Sequence, residues 1–161
     1  MQAACINYKD TGYFSQTVID YLEDAPALRP FYNHRPDLKG FSEFLKTKKV
    51  VADRTLLTDI LTAQYERNGL LSAQHSQGAI ANLKLLKEDN TYTVTTGHQL
   101  NIFAGPLYFI YKIVTAIKLA LQLKAKFPDK NFVPVYWMAS EDHDFAEINY
   151  TNIGGKKVHW W

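Results

Sequence analysis

Two short polar clusters hold the residues of this sequence best suited to chemistry. The first is Gly97-His98-Gln99-Leu100-Asn101 and the second is Glu141-Asp142-His143-Asp144. In the first, a glycine lets the backbone bend and approach a ligand closely. His98 can donate to an anion or carry a proton near neutral pH, and Asn101 can donate and accept beside it. In the second, four consecutive titratable groups can hold Mg²⁺, bind a substrate amine or supply a general base. Each cluster also has a plain explanation. His98, Gln99 and Asn101 would satisfy turn and cap hydrogen bonds, and an acidic run is favoured at a helix start by the helix dipole alone. Gly-His-Gln is neither a P-loop nor a Gly-x-Gly-x-x-Gly fingerprint.

The elements that carry the clusters favour function. Tyr92-Thr93-Val94-Thr95-Thr96 is a β-branched and aromatic run that ends at Gly97, and Phe132-Val133-Pro134-Val135-Tyr136-Trp137-Met138 is a second apolar run. Between them lies a helical pattern of about twenty residues, starting near Pro106 or Leu107 and ended by Pro128 and Asp129, so the whole reads as a βαβ unit. Such a crossover makes the strands parallel and puts their C-terminal ends on one edge, where ligands bind in open α/β sheets. Both clusters are therefore expected to face one cleft. The first should sit where strand turns into helix, offering the free N–H groups of a helix start to a phosphate or carboxylate. Ile110, Ile113, Val114, Ile117, Ala120 and Leu121 form the expected sheet-facing stripe, with Lys112, Thr115, Lys118, Gln122 and Lys126 opposite.

The preceding ninety residues read as mainly helical. Val18, Ile19 and Leu22 mark a short helix with Ser15 as N-cap and Pro26 as stop. Two prolines, Pro30 and Pro36, exclude regular helix from residues 29–36, which should be an extended aromatic loop. A brief helical turn follows at Phe41 to Lys46. Asp53 caps a helix over 54–68 that Gly69 closes, and Ser72 is expected to cap another over 73–87, with Ile80, Leu83 and Leu86 inward. After Asp144, residues 148–151 and 157–161 around Gly154-Gly155 form an expected β-hairpin. The expected fold class is α/β: a helical N-terminal segment, 1–90, packing on a parallel βαβ core, 91–161. The chain ends on Trp160-Trp161 with two parallel strands formed, so an incomplete domain, the front of something longer, is expected.

Totals narrow the function classes. A net charge of +2 with 18 scattered basic residues gives no basic face for nucleic acid. Lys112 and Lys118 interrupt the most apolar stretch, Leu107 to Leu123, so no membrane span is expected. The single cysteine, Cys5, excludes an internal disulfide and, with no signal-peptide pattern, suits a reducing cytoplasm. His34, His75 and His159 are weaker candidates, better explained as structural or solvent-facing.

Residues 95–103, Gly105-Pro106-Leu107-Tyr108-Phe109-Ile110-Tyr111-Lys112, the run from Pro134 to Phe145, and Leu28-Arg29-Pro30-Phe31-Tyr32 together resemble the BshC family of bacillithiol biosynthesis. The resemblance covers essentially the whole chain, as the N-terminal portion of a longer enzyme. It implies a Rossmann-like core with inserted segments, a coiled coil used for homodimerisation, and a ligase that joins cysteine to glucosaminyl-malate. Amide formation from a free carboxylate in water needs an activated acyl group, so ATP, with Mg²⁺, is the reasonable activator. Gly97, Gln99 and Asn101 would then bind substrate or phosphate, with His98 and Asn101 donating to developing negative charge. Glu141, Asp142 and Asp144 would hold the amine or metal, and His143 would act as acid or base. An adenylating enzyme of nucleotidyltransferase type acting on another carboxylate, and a non-catalytic binding or assembly module, are the rival readings.

Overall fold

The computed structural model describes residues 4–48, 51–72, 76–102, 105–141 and 144–160. The chain forms two compact units, 1–50 and 51–161. In the first, helix α1 (Gln16–Leu22) follows Ser15, whose side chain makes no cap hydrogen bond. Beyond it, Pro26–Phe31 winds into a 3-10 turn with Pro30 inside. The expected extended loop over 29–36 is thus helical for its first three residues. Proline's fixed φ suits a short 3-10 turn even though it bars a longer α-helix. Helix α2 (Leu38–Thr47) is longer than the brief turn expected, because Asp37 accepts from the Gly40 N–H at 2.8 Å and starts it earlier.

A polar knot organises this unit. Arg35 stacks over Tyr21 at 4.9 Å and donates to the Tyr21 and Leu22 carbonyls at the end of α1. Asp24 accepts from Tyr32 and Arg29. The Tyr32 hydroxyl, then the neighbouring arginines, hold the Asp24 carboxyl below its ordinary value despite partial desolvation. Reciprocally, the hydrogen bond to Asp24 raises the Tyr32 phenol. Gly40 must be glycine here, since a Cβ would stand 1.9 Å from the Arg35 carbonyl oxygen.

In the second unit, Asp53 caps α3 (Arg54–Arg67) as the sequence predicts, accepting from the Leu56 N–H at 2.8 Å. Helix α4 spans Gln77–Leu85, ending before the expected Lys87; of its expected start, residues 73–75 lie outside the described residues. Ser72 does not cap it. That residue ends a 3-10 turn and donates its hydroxyl to the Gly69 carbonyl at 3.0 Å, a local bond that competes with capping. Arg54 donates to the Leu86 and Thr91 carbonyls at 3.0 and 2.9 Å, tying the start of α3 to the end of α4 and to the first strand.

Strand β1 (Thr91–Gln99), helix α5 (Leu107–Lys126) and strand β2 (Asn131–Ala139) form the parallel βαβ unit, with Thr91 opposite Asn131 and Gln99 opposite Ala139. Alternation along the strands gives the sheet two covered faces. Val133 packs with Leu83 and Leu86 beside α4, while Phe132 and Tyr136 meet Phe127 and Phe109 at the two ends of α5. The chain is therefore α/β with a Rossmann-like core preceded by helices. Short helix α6 (Phe145–Ile148) leads to a hairpin of β3 (Tyr150–Ile153) and β4 (Lys156–His159), turned by Gly154 and Gly155 at φ of 57° and 77°.

The sheet-facing stripe of α5 is rotated from the expected one. Of the expected stripe Ala120 is buried and Ile113 half-buried, but Ile110, Val114, Ile117 and Leu121 are exposed, and Ala116 and Leu123 are buried in their place. The helix is apolar around most of its circumference, so periodicity alone does not fix its phase. Two alanines one turn apart let it approach the sheet closely. No helix among the described residues is long and apolar enough to cross a membrane.

Candidate functional site at the strand ends

Pairing of Gln99 with Ala139 means that β1 and β2 run out at the same level, and the chain leaves both on the same edge. At the end of β1, His98 lies on the α5 side of the sheet. Its ring packs against Tyr108 at 5.3 Å and edge-on to Phe109 at 5.8 Å, and Phe109 in turn meets Tyr136. The His98 Nε2 is 2.7 Å from the Tyr108 hydroxyl, and its Nδ1 is 2.8 Å from the Asn101 side-chain nitrogen. That same nitrogen donates to the Gln99 carbonyl at 2.9 Å. The Lys112 ammonium donates to the Gly97 carbonyl, and the Tyr136 hydroxyl to the His98 carbonyl at 3.3 Å.

Two expectations change here. Gly97 is not the turn. It lies inside β1, where a Cβ would stand 2.8 Å from the Trp137 carbonyl oxygen, so its role is close strand approach. The cluster is not at the helix start either, because the strand continues to Gln99 and α5 begins only at Leu107 after Pro106. The first turn of α5 reaches the cluster all the same, through Tyr108. The bend falls to Gly105, whose φ of +61° favours glycine and whose missing Cβ would stand 2.8 Å from Asn101 Cγ.

Tyr108, Lys112 and Tyr136 are the polar residues that reading the two clusters alone misses. A signal for the first two was available. Tyr108 and Lys112 are four apart at the beginning of a helix that follows β1, so they share the face that passes over the strand end.

At the end of β2 the picture is sparser. Glu141 is exposed. Asp144 is exposed and caps α6, accepting from the Ala146 N–H at 2.8 Å. Asp142 and His143 lie outside the described residues, as does His75. Among the described residues, no three His, Cys, Asp or Glu side chains gather to hold a metal ion. His34 lies 3.4 Å from the Glu43 carboxylate and edge-on to Phe44, His159 sits beside Tyr150 in the hairpin, and Cys5 is free and exposed. A cavity of about 440 Å³ between α3 and α4, lined by Thr58, Ile80, Leu83 and Lys84 among others, contains none of the strand-end residues.

Fold and site together describe a Rossmann-like α/β chain with a polar, histidine-centred cluster at the carboxyl edge of its parallel strands. The sequence model of the family "Bacillithiol biosynthesis BshC, N-terminal Rossmann-like domain" matches residues 1–161, and the chain belongs to that family. Relatives in Flavobacterium johnsoniae and Christiangramia forsetii, each named "Putative cysteine ligase BshC", are 47% and 44% identical over 99% of this chain. A relative of the same name in Prosthecochloris aestuarii is 32% identical over 87% of it. The chain spans only 30% and 29% of the length of the first two.

Proposed function

We propose that this chain supplies part of the substrate cleft of a ligase that forms an amide between cysteine and glucosaminyl-malate, the last step towards bacillithiol. One observation carries the reading. The register of β1 with β2 brings the His98 cluster and the segment beginning at Glu141 off the sheet at one edge, in a family whose members bear the ligase name. The donors at the end of β1 suit an anionic oxygen of carboxylate or phosphate. His98 and Asn101 organise those donors, with Gly97 and Gln99 shaping the backbone around them. On the facing segment, Glu141, Asp142 and Asp144 would hold the cationic amine and His143 would exchange its proton. Asp144 can do so while capping α6, because a carboxylate has a second oxygen.

Activation of the cysteine carboxyl by ATP belongs to this proposal on chemical grounds, since amide formation in water needs an activated acyl group. Where Mg²⁺ accompanies the ATP, Glu141, Asp142 and Asp144 are the carboxylates that would hold it. A homodimeric full-length enzyme in the cytoplasm, with small-molecule substrates only, completes the reading. Its test is complementation of a strain lacking the cysteine-adding step with the intact protein that carries this sequence, followed by mass spectrometry. Wild type should restore bacillithiol, whereas His98→Ala and Asp142→Ala should accumulate glucosaminyl-malate while remaining folded and abundant. Normal bacillithiol in both variants would remove the site. A wild type that restores nothing would remove the function.

A further inference from the structure

We infer that the group this site presents to an anionic ligand is the hydroxyl of Tyr108, with His98 behind it, locked by Asn101 as the Nε2–H tautomer. The inference rests on the ligase reading for the identity of the ligand, and on geometry for the rest. Two partners compete for His98 Nδ1: the Asn101 side-chain nitrogen at 2.8 Å and the Gln99 carbonyl at 3.1 Å. An amide nitrogen donates and does not accept, so a proton on Nδ1 would set two donors against each other at the shorter contact. Turning the Asn101 amide over does not rescue that arrangement. Its oxygen would then face the Gln99 carbonyl oxygen, which the nitrogen now contacts at 2.9 Å. With the amide nitrogen donating to both, Nδ1 is an acceptor and the ring proton is on Nε2.

That proton points at Tyr108. Nε2–H donates to the phenol oxygen at 2.7 Å, so the phenol O–H is free to turn outward. Tyr108 is 54% exposed, so its ring reaches solvent on the edge where the strands end. Gly105 maintains the arrangement from behind, since any side chain there would displace Asn101. Tyr108 is thus the ligand-contacting donor, and Asn101 and His98 are positioning residues that act through it. A carboxylate of the substrate and a phosphate of ATP offer it the same oxygen chemistry.

Nitrogen-15 spectra of the imidazole groups in the intact protein test the first half, with His98 identified by its loss in His98→Gln. Wild type should show the Nε2–H tautomer. Asn101→Ala should release the lock and let Nδ1–H donate to the Gln99 carbonyl. A wild-type Nδ1–H tautomer would overturn the inference. The second half is tested by titrating wild type and Tyr108→Phe separately with glucosaminyl-malate and with ATP. Phenylalanine keeps the ring against His98, so the fold has no reason to change. Loss of one hydrogen bond to a charged oxygen should weaken one probe by about tenfold to a hundredfold. Weaker glucosaminyl-malate identifies a carboxylate, and weaker ATP a phosphate. Equal binding of both probes by the variant overturns the inference alone. A wild type with the Nε2–H tautomer that binds neither probe overturns both the ligand assignment and the ligase reading.

Discussion

The two strand ends are chemically unequal. At the end of β1 the polar groups form a connected network: His98 bonds to Tyr108 and Asn101, Asn101 to the Gln99 carbonyl, and Lys112 to the Gly97 carbonyl. At the end of β2, Glu141 and Asp144 stand exposed, and Asp144 spends a bond on a helix cap. The first end is organised before any ligand arrives. Among its described residues, the second end offers charge with little to fix its direction, so their geometry must come largely from what they bind. Preorganised donors act at little reorganisation cost, whereas exposed carboxylates contribute mainly through field and ligation.

Substitutions should expose this inequality, and the largest effect is expected at the organised end. His98→Ala should lower bacillithiol formation by about 10²- to 10³-fold, the usual worth of a preorganised donor, because it releases the Tyr108 hydroxyl that His98 positions, without changing the urea midpoint of unfolding by much. A smaller effect is expected at the other end from Asp144→Asn. Asparagine is as good a cap as aspartate, so α6 should persist while loss of the charge lowers product formation by about tenfold; full activity would leave Asp144 as a cap alone. Asp144→Ala should in addition destabilise that helix by about 1 kcal/mol, measurable as faster amide exchange there.

Gly97→Ala tests the strand pairing on which the comparison depends. Its Cβ would crowd the Trp137 carbonyl, so a loss of about 1–3 kcal/mol in denaturant unfolding is expected. The smallest effect should come from a region outside the comparison. Asp24 is held below its ordinary value in the fold, so its contribution to stability is present at neutral pH and is lost as pH falls through that lowered value. Tyr32 is raised, so its contribution persists through its ordinary range and is lost only as pH rises beyond it. Tyr32→Phe should therefore move the acid unfolding midpoint of the first unit upward, followed by circular dichroism.

Much of the fold was legible because local rules governed it. Asp53 caps a helix, β1 and β2 match their β-branched runs, and Gly154-Gly155 turns a hairpin, each for reasons contained in a few neighbouring residues. What escaped depended on contacts between distant positions. The phase of α5 is set by which face comes closest to the sheet, and an almost wholly apolar helix gives no sequence cue to that. Ser72 was a plausible cap until its hydroxyl found the Gly69 carbonyl. The candidate site was legible as residues but not as a network: His98 and Asn101 stood out by type, while Tyr108 and Lys112 looked like ordinary members of an aromatic and basic helix. Only the path of the chain through Gly105 brings them over the end of β1.

That path bears on how a map of tolerated substitutions across this chain should look. Gly105 has no side chain and can donate nothing to a ligand, yet every replacement there meets both an unfavourable backbone and the Asn101 side chain. Gly12 and Gly69 share a positive φ but have open space where a Cβ would go. In a mutational scan scored by growth on bacillithiol, Gly105 should therefore group with His98 rather than with the other two glycines, and a silent position would mark the site as clearly as its most reactive one.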